Sequence, residues 1–76
     1  MNAHRVRQLV RQSYLCHPDW TLDDHLHWLC FDGPPGIIAA DDDRLAFQSF
    51  VGDLLRELRR EQDAVGFDAM IEDALR

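Results

Sequence analysis

Between Leu45 and Leu58, apolar side chains recur at the spacing of one face of an α-helix. They stand at i, i+3, i+4, i+7, i+8 and i+11, and we call them the apolar stripe: Phe47, Phe50, Val51, Leu54, Leu55 and Leu58. The other faces of this segment carry mostly charged and polar residues. Such a helix is stabilised by packing of its apolar face more than by its intrinsic propensity. The apolar stripe must therefore be covered, either by the rest of the chain or by a partner.

The length and composition of the chain predict one small globular domain. A chain of 76 residues buries only about 60 to 65% of the surface that it exposes when unfolded, so marginal stability is expected. The hydrophobic fraction of 46% and the charged fraction of 29% are typical of a folded chain rather than a disordered one. No apolar run approaches the ~18 residues of a membrane span, and no signal-peptide core follows the N-terminus. We expect a cytoplasmic protein of prokaryotic or phage type.

The net charge of −6 is distributed unevenly along the chain. Residues 1–18 carry three arginines and no acid, whereas residues 19–43 carry seven aspartates and neither lysine nor arginine. Binding of phosphate groups requires a concentrated positive patch, so this acidic middle argues against direct binding of nucleic acid. It favours instead a partner protein with a basic surface.

Two amphipathic segments precede the apolar stripe. The first predicts a helix over residues 3–16, which should end at His17 because the residue before Pro18 is disfavoured in the α region. Thr21 then predicts an N-cap, with two acids in the first turn of a second helix over residues 22–31. The predicted inward side chains are Val6, Leu9, Val10, Ser13 and Tyr14 in the first helix, and Leu22, Leu26, Leu29 and Cys30 in the second.

Residues 32–40 predict a loop, because the run Asp-Gly-Pro-Pro-Gly at its start cannot continue a helix. The three consecutive aspartates Asp41, Asp42 and Asp43 then predict the N-terminal cap of a third helix, since carboxylates are favourable beside the free amide groups of a helix start. This third helix, predicted over residues 42–63, contains the apolar stripe.

Glycines mark two positions in the last part of the chain. Gly52, inside the third helix, should cost about 1 kcal/mol relative to alanine, and with Ser49 it predicts a notch where another helix approaches. The run Ala64-Val65-Gly66 predicts a turn, and a final helix follows over residues 67–75. The whole pattern predicts an all-α fold, a small bundle of three principal helices plus a short C-terminal helix. A bundle of this size also favours a homodimer.

Five potential metal ligands lie close together in the sequence: Cys16, His17, His25, His27 and Cys30. Only His27 and Cys30, at i and i+3, have a spacing at which two helical side chains reach one ion. The favoured interpretation is therefore that both cysteines are buried or half-buried thiols without a disulfide and that the histidines lie at the surface. It predicts no metal and no cofactor. The alternative is a metal-dependent regulator that uses the Cys/His residues.

Enzymatic activity is not expected. A cysteine and a histidine are available for nucleophilic chemistry, but no glycine-rich oxyanion turn flanks either cysteine. The consecutive aspartates lack the alternating acids and final glutamate of a calcium loop. A helix-turn-helix comparison also fails, because the second helix would present Asp23, Asp24, His25 and His27 to DNA phosphates.

Aromatic residues and carboxylates share the middle of the chain, a composition typical of protein interfaces. The aromatic residues Tyr14, Trp20, Trp28 and Phe31 either complete a small core or, through one of the tryptophans, anchor a partner. The predicted partner-binding residues are Asp19, Trp20, Asp23, Asp24, Trp28, Asp32, Asp41, Asp42 and Asp43. We expect a small acidic protein-binding module, an inhibitor, immunity, antitoxin-like or adaptor protein that covers a basic surface on a larger protein.

Two other functional hypotheses use the same residues. In a sharper form of the first, the carboxylates mimic nucleic-acid charge toward a phosphate-binding groove, as in a phage-type inhibitor. The alternative from a different class is a structural or assembly subunit that self-associates through the predicted helix 42–63. Ionic strength distinguishes them, because charge-driven association slows as salt rises and apolar assembly does not.

Overall fold

The computed structural model describes residues 2–33 and 43–76, and all regular structure within these ranges is helical. The elements are α1 (Ala3–Cys16), α2 (Leu22–His27), a π-helical turn (Trp28–Asp32) that continues α2, α3 (Arg44–Val65) and α4 (Phe67–Ala74). The predicted all-α bundle is confirmed. No described helix combines the length and the apolar character that crossing a membrane requires.

The junction between α1 and α2 forms as its local sequence predicts. The His17 N–H donates to the Ser13 carbonyl at 2.8 Å and ends α1. Thr21 begins α2 with a capping box, in which its hydroxyl accepts from the Asp24 N–H at 3.3 Å. The Asp24 carboxylate in turn accepts from the Thr21 N–H at 3.1 Å. Reciprocal capping of this kind satisfies amide groups that a helix start leaves without partners.

The apolar stripe on α3 forms the centre of the core. Five of its six side chains are buried within the chain, and Phe50 is half-buried, with the Arg7 guanidinium 5.7 Å from its ring centroid. The other side chains of the core cluster are Val6, Leu9, Val10 and Tyr14 from α1, Leu29 from the π-helical turn and Met70 from α4. The rest of the chain therefore supplies the cover that the stripe requires.

The ends of α3 differ slightly from the predicted range of residues 42–63. Asp43 is the N-cap, and its carboxylate accepts from the amide groups of Leu45 and Ala46 at 2.9 and 3.3 Å. Asp41 and Asp42 lie outside the described residues, as does most of the predicted loop 32–40. The turn predicted at Ala64-Val65-Gly66 is wrong in extent, because α3 continues through Val65 and only Gly66, at φ 90°, leaves the helix.

The inward face predicted for the second helix is partly wrong. Leu29 is buried, but Leu22 is 37% exposed and Cys30 is exposed. The buried neighbour of Leu29 is His25, one helical turn earlier. A short helix buries only the narrow face that meets its neighbours, and side chains at i and i+4 share that face. The last turn is also π-helical rather than α-helical, which changes the direction of the residues after His27.

A polar network joins α1 to the C-terminal helices. The Arg11 guanidinium donates to both carboxylate oxygens of Glu61 in α3, at 2.8 and 3.1 Å, and lies 3.6 Å from Asp73 in α4. The hydrogen bond from Arg11 holds the pKa of Glu61 below its ordinary value. The Tyr14 hydroxyl donates to the side-chain oxygen of Gln62 on the same side of the bundle. These contacts link three of the four helices independently of α2.

Replacing Gly52 by alanine should stabilise the protein by about 0.5 to 1 kcal/mol, because alanine is the better helix former. A β-carbon at this position would lie 3.7 Å from Arg56 Nη2 and 3.8 Å from Leu22 Cδ2, which is ordinary contact. Gly66→Ala is the matched control and should destabilise by about 1 to 3 kcal/mol, because the backbone there has φ 90°. Urea unfolding followed by circular dichroism measures both, and a lower midpoint for Gly52→Ala would contradict the packing described around it.

Replacing Glu61 by glutamine should lower the free energy of unfolding by about 0.5 to 1 kcal/mol at neutral pH, as expected for a partly exposed ion pair. The folded-state pKa of Glu61 is depressed, so its contribution is present above the ordinary pKa of about 4.5 and is lost as the pH falls below it. The stabilities of the variant and the parent protein should therefore converge as the pH falls through the depressed folded-state pKa of Glu61. The control Asp53→Asn breaks an exposed ion pair with Arg56 and should leave the free energy of unfolding almost unchanged at neutral or acidic pH. An equal loss of that free energy in both variants would contradict a specific role for Glu61.

Candidate protein-binding face

The outer side of α2 and its flanking residues carries exposed carboxylates beside an exposed aromatic ring. We define the acidic face as Asp19, Asp23, Asp24, Phe31 and Asp32, all of which are exposed. Phe31 retains 75% of its accessible surface, and the His27 ring lies 4.8 Å from it. Asp23 precedes His27 by one helical turn, so carboxylate, imidazole and phenyl groups follow one another along the exposed side of the helix.

The carboxylates of the predicted binding residues have two different roles. Asp24 and Asp43 accept backbone N–H groups and cap α2 and α3. Asp19, Asp23 and Asp32 take part in none of the ion pairs formed between the described residues. No lysine or arginine lies between Arg11 and Arg44 in the sequence. The acidic face therefore retains three carboxylates that could pair with the basic groups of another molecule.

Neither tryptophan is presented to solvent as Phe31 is. Trp28 is partly buried and packs against the core cluster. Trp20 is half-buried and stacks on His17, with ring centroids 3.7 Å apart and planes 3° from parallel. The 75% exposure of the Phe31 ring therefore distinguishes it from both tryptophans. Sequence reasoning could not rank these aromatic rings, because a helix of this length has no strong periodicity to fix its inward direction.

His25 is the main feature of α2 that the sequence prediction missed. The prediction of surface histidines is wrong at this position, because His25 is 0% exposed. Its Nδ1 lies 2.6 Å from the Ser13 hydroxyl of α1, and no polar atom of the described residues pairs with its Nε2. Ser13, a polar residue on the inward face of α1, was the available signal, since a buried hydroxyl needs a partner.

The environment of His25 disfavours its charged form. Burial lowers the pKa of its imidazole, and the positive charges of His17 and Arg59 act in the same direction, whereas Asp24 opposes them. The Tyr14 and Trp20 rings lie 6.5 and 5.4 Å from the imidazole, centroid to centroid. His25 therefore acts as a neutral core residue that ties α2 to α1.

The cysteines also depart from their predicted burial. Cys16 and Cys30 are both exposed and unpaired, because each occupies an outward position at the end of its helix. Among the described residues, no group of three or more histidine, cysteine, aspartate or glutamate side chains is placed to hold a metal ion. His27, half of the Cys/His pair considered from the sequence, contacts the Phe31 ring.

An open groove lies between α1 and α3. Its volume is about 160 Å³, below the range of roughly 300 to 1,000 Å³ that is typical of small-molecule sites. Its lining residues are Arg7, Arg11, Leu54, Glu57, Leu58 and Glu61. Arg11 and Glu61 pair with each other in this groove. We therefore interpret their charges as structural.

The chain matches no known protein family model, no curated protein and no solved structure in the comparisons made. The candidate function must therefore be argued from the acidic face itself.

Replacing Phe31 by alanine should change the free energy of unfolding by less than about 0.5 kcal/mol, because the ring is exposed. Leu29→Ala, two positions away in the same turn, should cost about 2 to 4 kcal/mol because Leu29 is 1% exposed in the core. Thermal unfolding measured by circular dichroism compares the two variants. If Phe31→Ala were as destabilising as Leu29→Ala, the ring would belong to the core and the acidic face would lose its apolar group.

Proposed function

We propose that this protein is an acidic protein-binding module that docks through its acidic face onto a basic surface of a larger protein. The observation that carries the proposal is the 75% exposed Phe31 ring beside carboxylates without ion-pair partners among the described residues. An inhibitor, immunity protein, antitoxin-like protein or adaptor acts by this kind of surface coverage.

The apolar part of the interface is centred on Phe31. Aromatic side chains inserted into pockets of a partner often supply a large share of binding free energy, while surrounding polar contacts exclude water. Phe31 meets this description in the free chain, since its burial would add apolar contact without disturbing the core. His27, at 4.8 Å from the ring, provides an adjacent polar and aromatic edge.

The charged part of the interface determines the class of partner. The protein has a net charge of −6, and Asp19, Asp23 and Asp32 add exposed negative charge along α2 and its flanking residues. A negative face steers association with a positive surface and raises the association rate at low salt. A groove that ordinarily binds nucleic-acid phosphates is one such positive surface. Mimicry of nucleic-acid charge is therefore one form that docking through the acidic face can take.

Self-association through α3 is the less favoured function. The apolar stripe on which that hypothesis depends is buried against α1, α4 and Leu29 of the same chain. An assembly interface there would require these contacts to open. The acidic face requires no such rearrangement, which supports a module that binds a different protein.

The test is capture of a partner from extract of the source cells at low and high salt, using the parent protein and the triple variant Asp19→Asn, Asp23→Asn, Asp32→Asn. The matched control is Glu57→Gln, Asp63→Asn, Glu72→Gln, which removes the same net charge from exposed positions on α3 and α4. The parent protein and the control should capture one stoichiometric partner that is lost at high salt. The triple variant should fail, and Phe31→Ala should weaken binding at least about tenfold.

The proposal would be wrong if the triple variant captured that partner as well as the matched control did. Recovery of the protein itself alone, equally at both salt concentrations, would instead indicate the assembly subunit. Asp24 and Asp43 are left unchanged in every variant, because loss of their capping bonds would disturb α2 and α3.

A further inference from the structure

The contact that fastens α2 to the bundle depends on one titratable group. Only His25 and Leu29 are fully buried in α2 and the π-helical turn. Leu29 contributes apolar contact, whereas His25 makes the polar contact, 2.6 Å from Ser13 of α1. Trp20 and His17 stack on each other beside the imidazole. The state of His25 therefore determines whether α2 can pack as it does.

We infer that α2 and the π-helical turn form a proton-sensitive flap, which separates from α1 and α3 when His25 takes up a proton. The neutral ring satisfies Ser13 through Nδ1 and leaves Nε2 without a partner among the described residues. The protonated ring would carry N–H donors at both nitrogens and a full charge in a site with 0% exposure. A buried charge without a paired counter-charge is strongly unfavourable.

The charged groups around His25 do not compensate for this cost. On α1, Ser13 and Tyr14 are neutral and His17 is a further cation when protonated; on α3, Arg59 is positive. On α2 itself, Asp24 is the favourable charge, but its carboxylate accepts the Thr21 N–H in the capping box. Burial and the two cationic groups together hold the pKa of His25 below its ordinary value.

Separation of α2 alone, rather than unfolding of the whole domain, follows from where the other contacts lie. The α1, α3 and α4 helices share most of the core cluster. Arg11 also joins all three of them through Glu61 and Asp73. Short elements with few buried side chains open at a lower free energy than the core does. The remaining three helices can therefore stay folded when α2 separates.

The direction of the pH dependence follows from the lowered pKa. In the open state His25 regains a pKa near the ordinary value of about 6.5, so the open state binds more protons below that pH. The closed form is unaffected above about pH 6.5, and the opening equilibrium constant rises by up to about tenfold per pH unit as the pH falls toward the folded-state pKa. The contribution of Glu61 to stability changes with pH only below its ordinary pKa of about 4.5, so a transition above that value is not caused by it.

Amide hydrogen exchange from pH 7.5 to 5, expressed as protection relative to the unstructured rate at each pH, tests the flap. In the parent protein, protection of residues 22–32 should fall by up to about tenfold per pH unit below about 6.5, while α3 stays protected. His25→Gln, which keeps a neutral hydrogen-bonding side chain, should show no such fall. His27→Gln, an exposed histidine of the same helix, is the matched control and should behave as the parent does.

Constant protection of residues 22–32 in the parent protein, or an unchanged fall in His25→Gln, would overturn the inference. If His25→Gln does not fold, histidine ring resonances of the parent protein decide the question. His25 should then titrate below the ordinary histidine pKa of about 6.5, together with the amide signals of α2. A titration of His25 that leaves those amide signals unchanged would overturn it.

The consequence for binding rests on the proposed function, because the acidic face lies on the flap. With a captured partner, acidification from pH 7 to 5.5 should weaken binding of the parent protein in proportion to the fraction of chains whose flap is open and leave His25→Gln unaffected. The hydrogen-exchange experiment uses the free chain, so its failure leaves the proposed function intact. If no partner is captured, the hydrogen-exchange experiment on the free chain still tests the flap.

Discussion

The structure depends on burial of the apolar stripe of α3. A helix with this periodicity requires a cover, and α1 provides most of it with Val6, Leu9, Val10 and Tyr14. Because a chain of this size has little core to spare, α4 and the π-helical turn contribute one buried apolar side chain each. The ion pairs of Arg11 with Glu61 and Asp73 then hold α1 against α3 and α4. In this arrangement α2 itself contributes no side chain to the apolar core cluster, and together with the π-helical turn it fully buries only His25 and Leu29.

That unequal distribution explains why the candidate binding face lies on α2. A helix that buries only His25 and Leu29 keeps most of its surface in water, and its exposed residues are free to differ in chemistry from those of the core. They carry Phe31 and carboxylates that have no ion-pair partner among the described residues, while α2 contains no arginine or lysine. The same small share of the core makes the attachment of α2 sensitive to one proton. Binding and its proposed regulation thus have a common structural origin.

The sequence predicted well what depends on local pattern. The ranges of α1 and α4, the caps at Thr21 and Asp43 and the core faces of α1 and α3 follow from short-range rules, and the structure confirms them. It predicted poorly which side of α2 is buried. Burial there depends on a contact across twelve residues between Ser13 and His25 and on a π-helical turn, neither of which periodicity reveals. The exposure of Cys30 and Phe31 follows from the same two features, so the site was only partly predictable.

We propose that the chain binds its partner through α2 rather than through the core helices. Hydrogen exchange of the chain, free and bound to its captured partner at neutral pH, maps the surface that becomes covered. Binding through α2 predicts added protection in residues 19–33, with α4 and the C-terminal half of α3 unchanged. Protection confined to the exposed apolar residues at the ends of α3 and α4, Leu45, Val65 and Leu75, would contradict it.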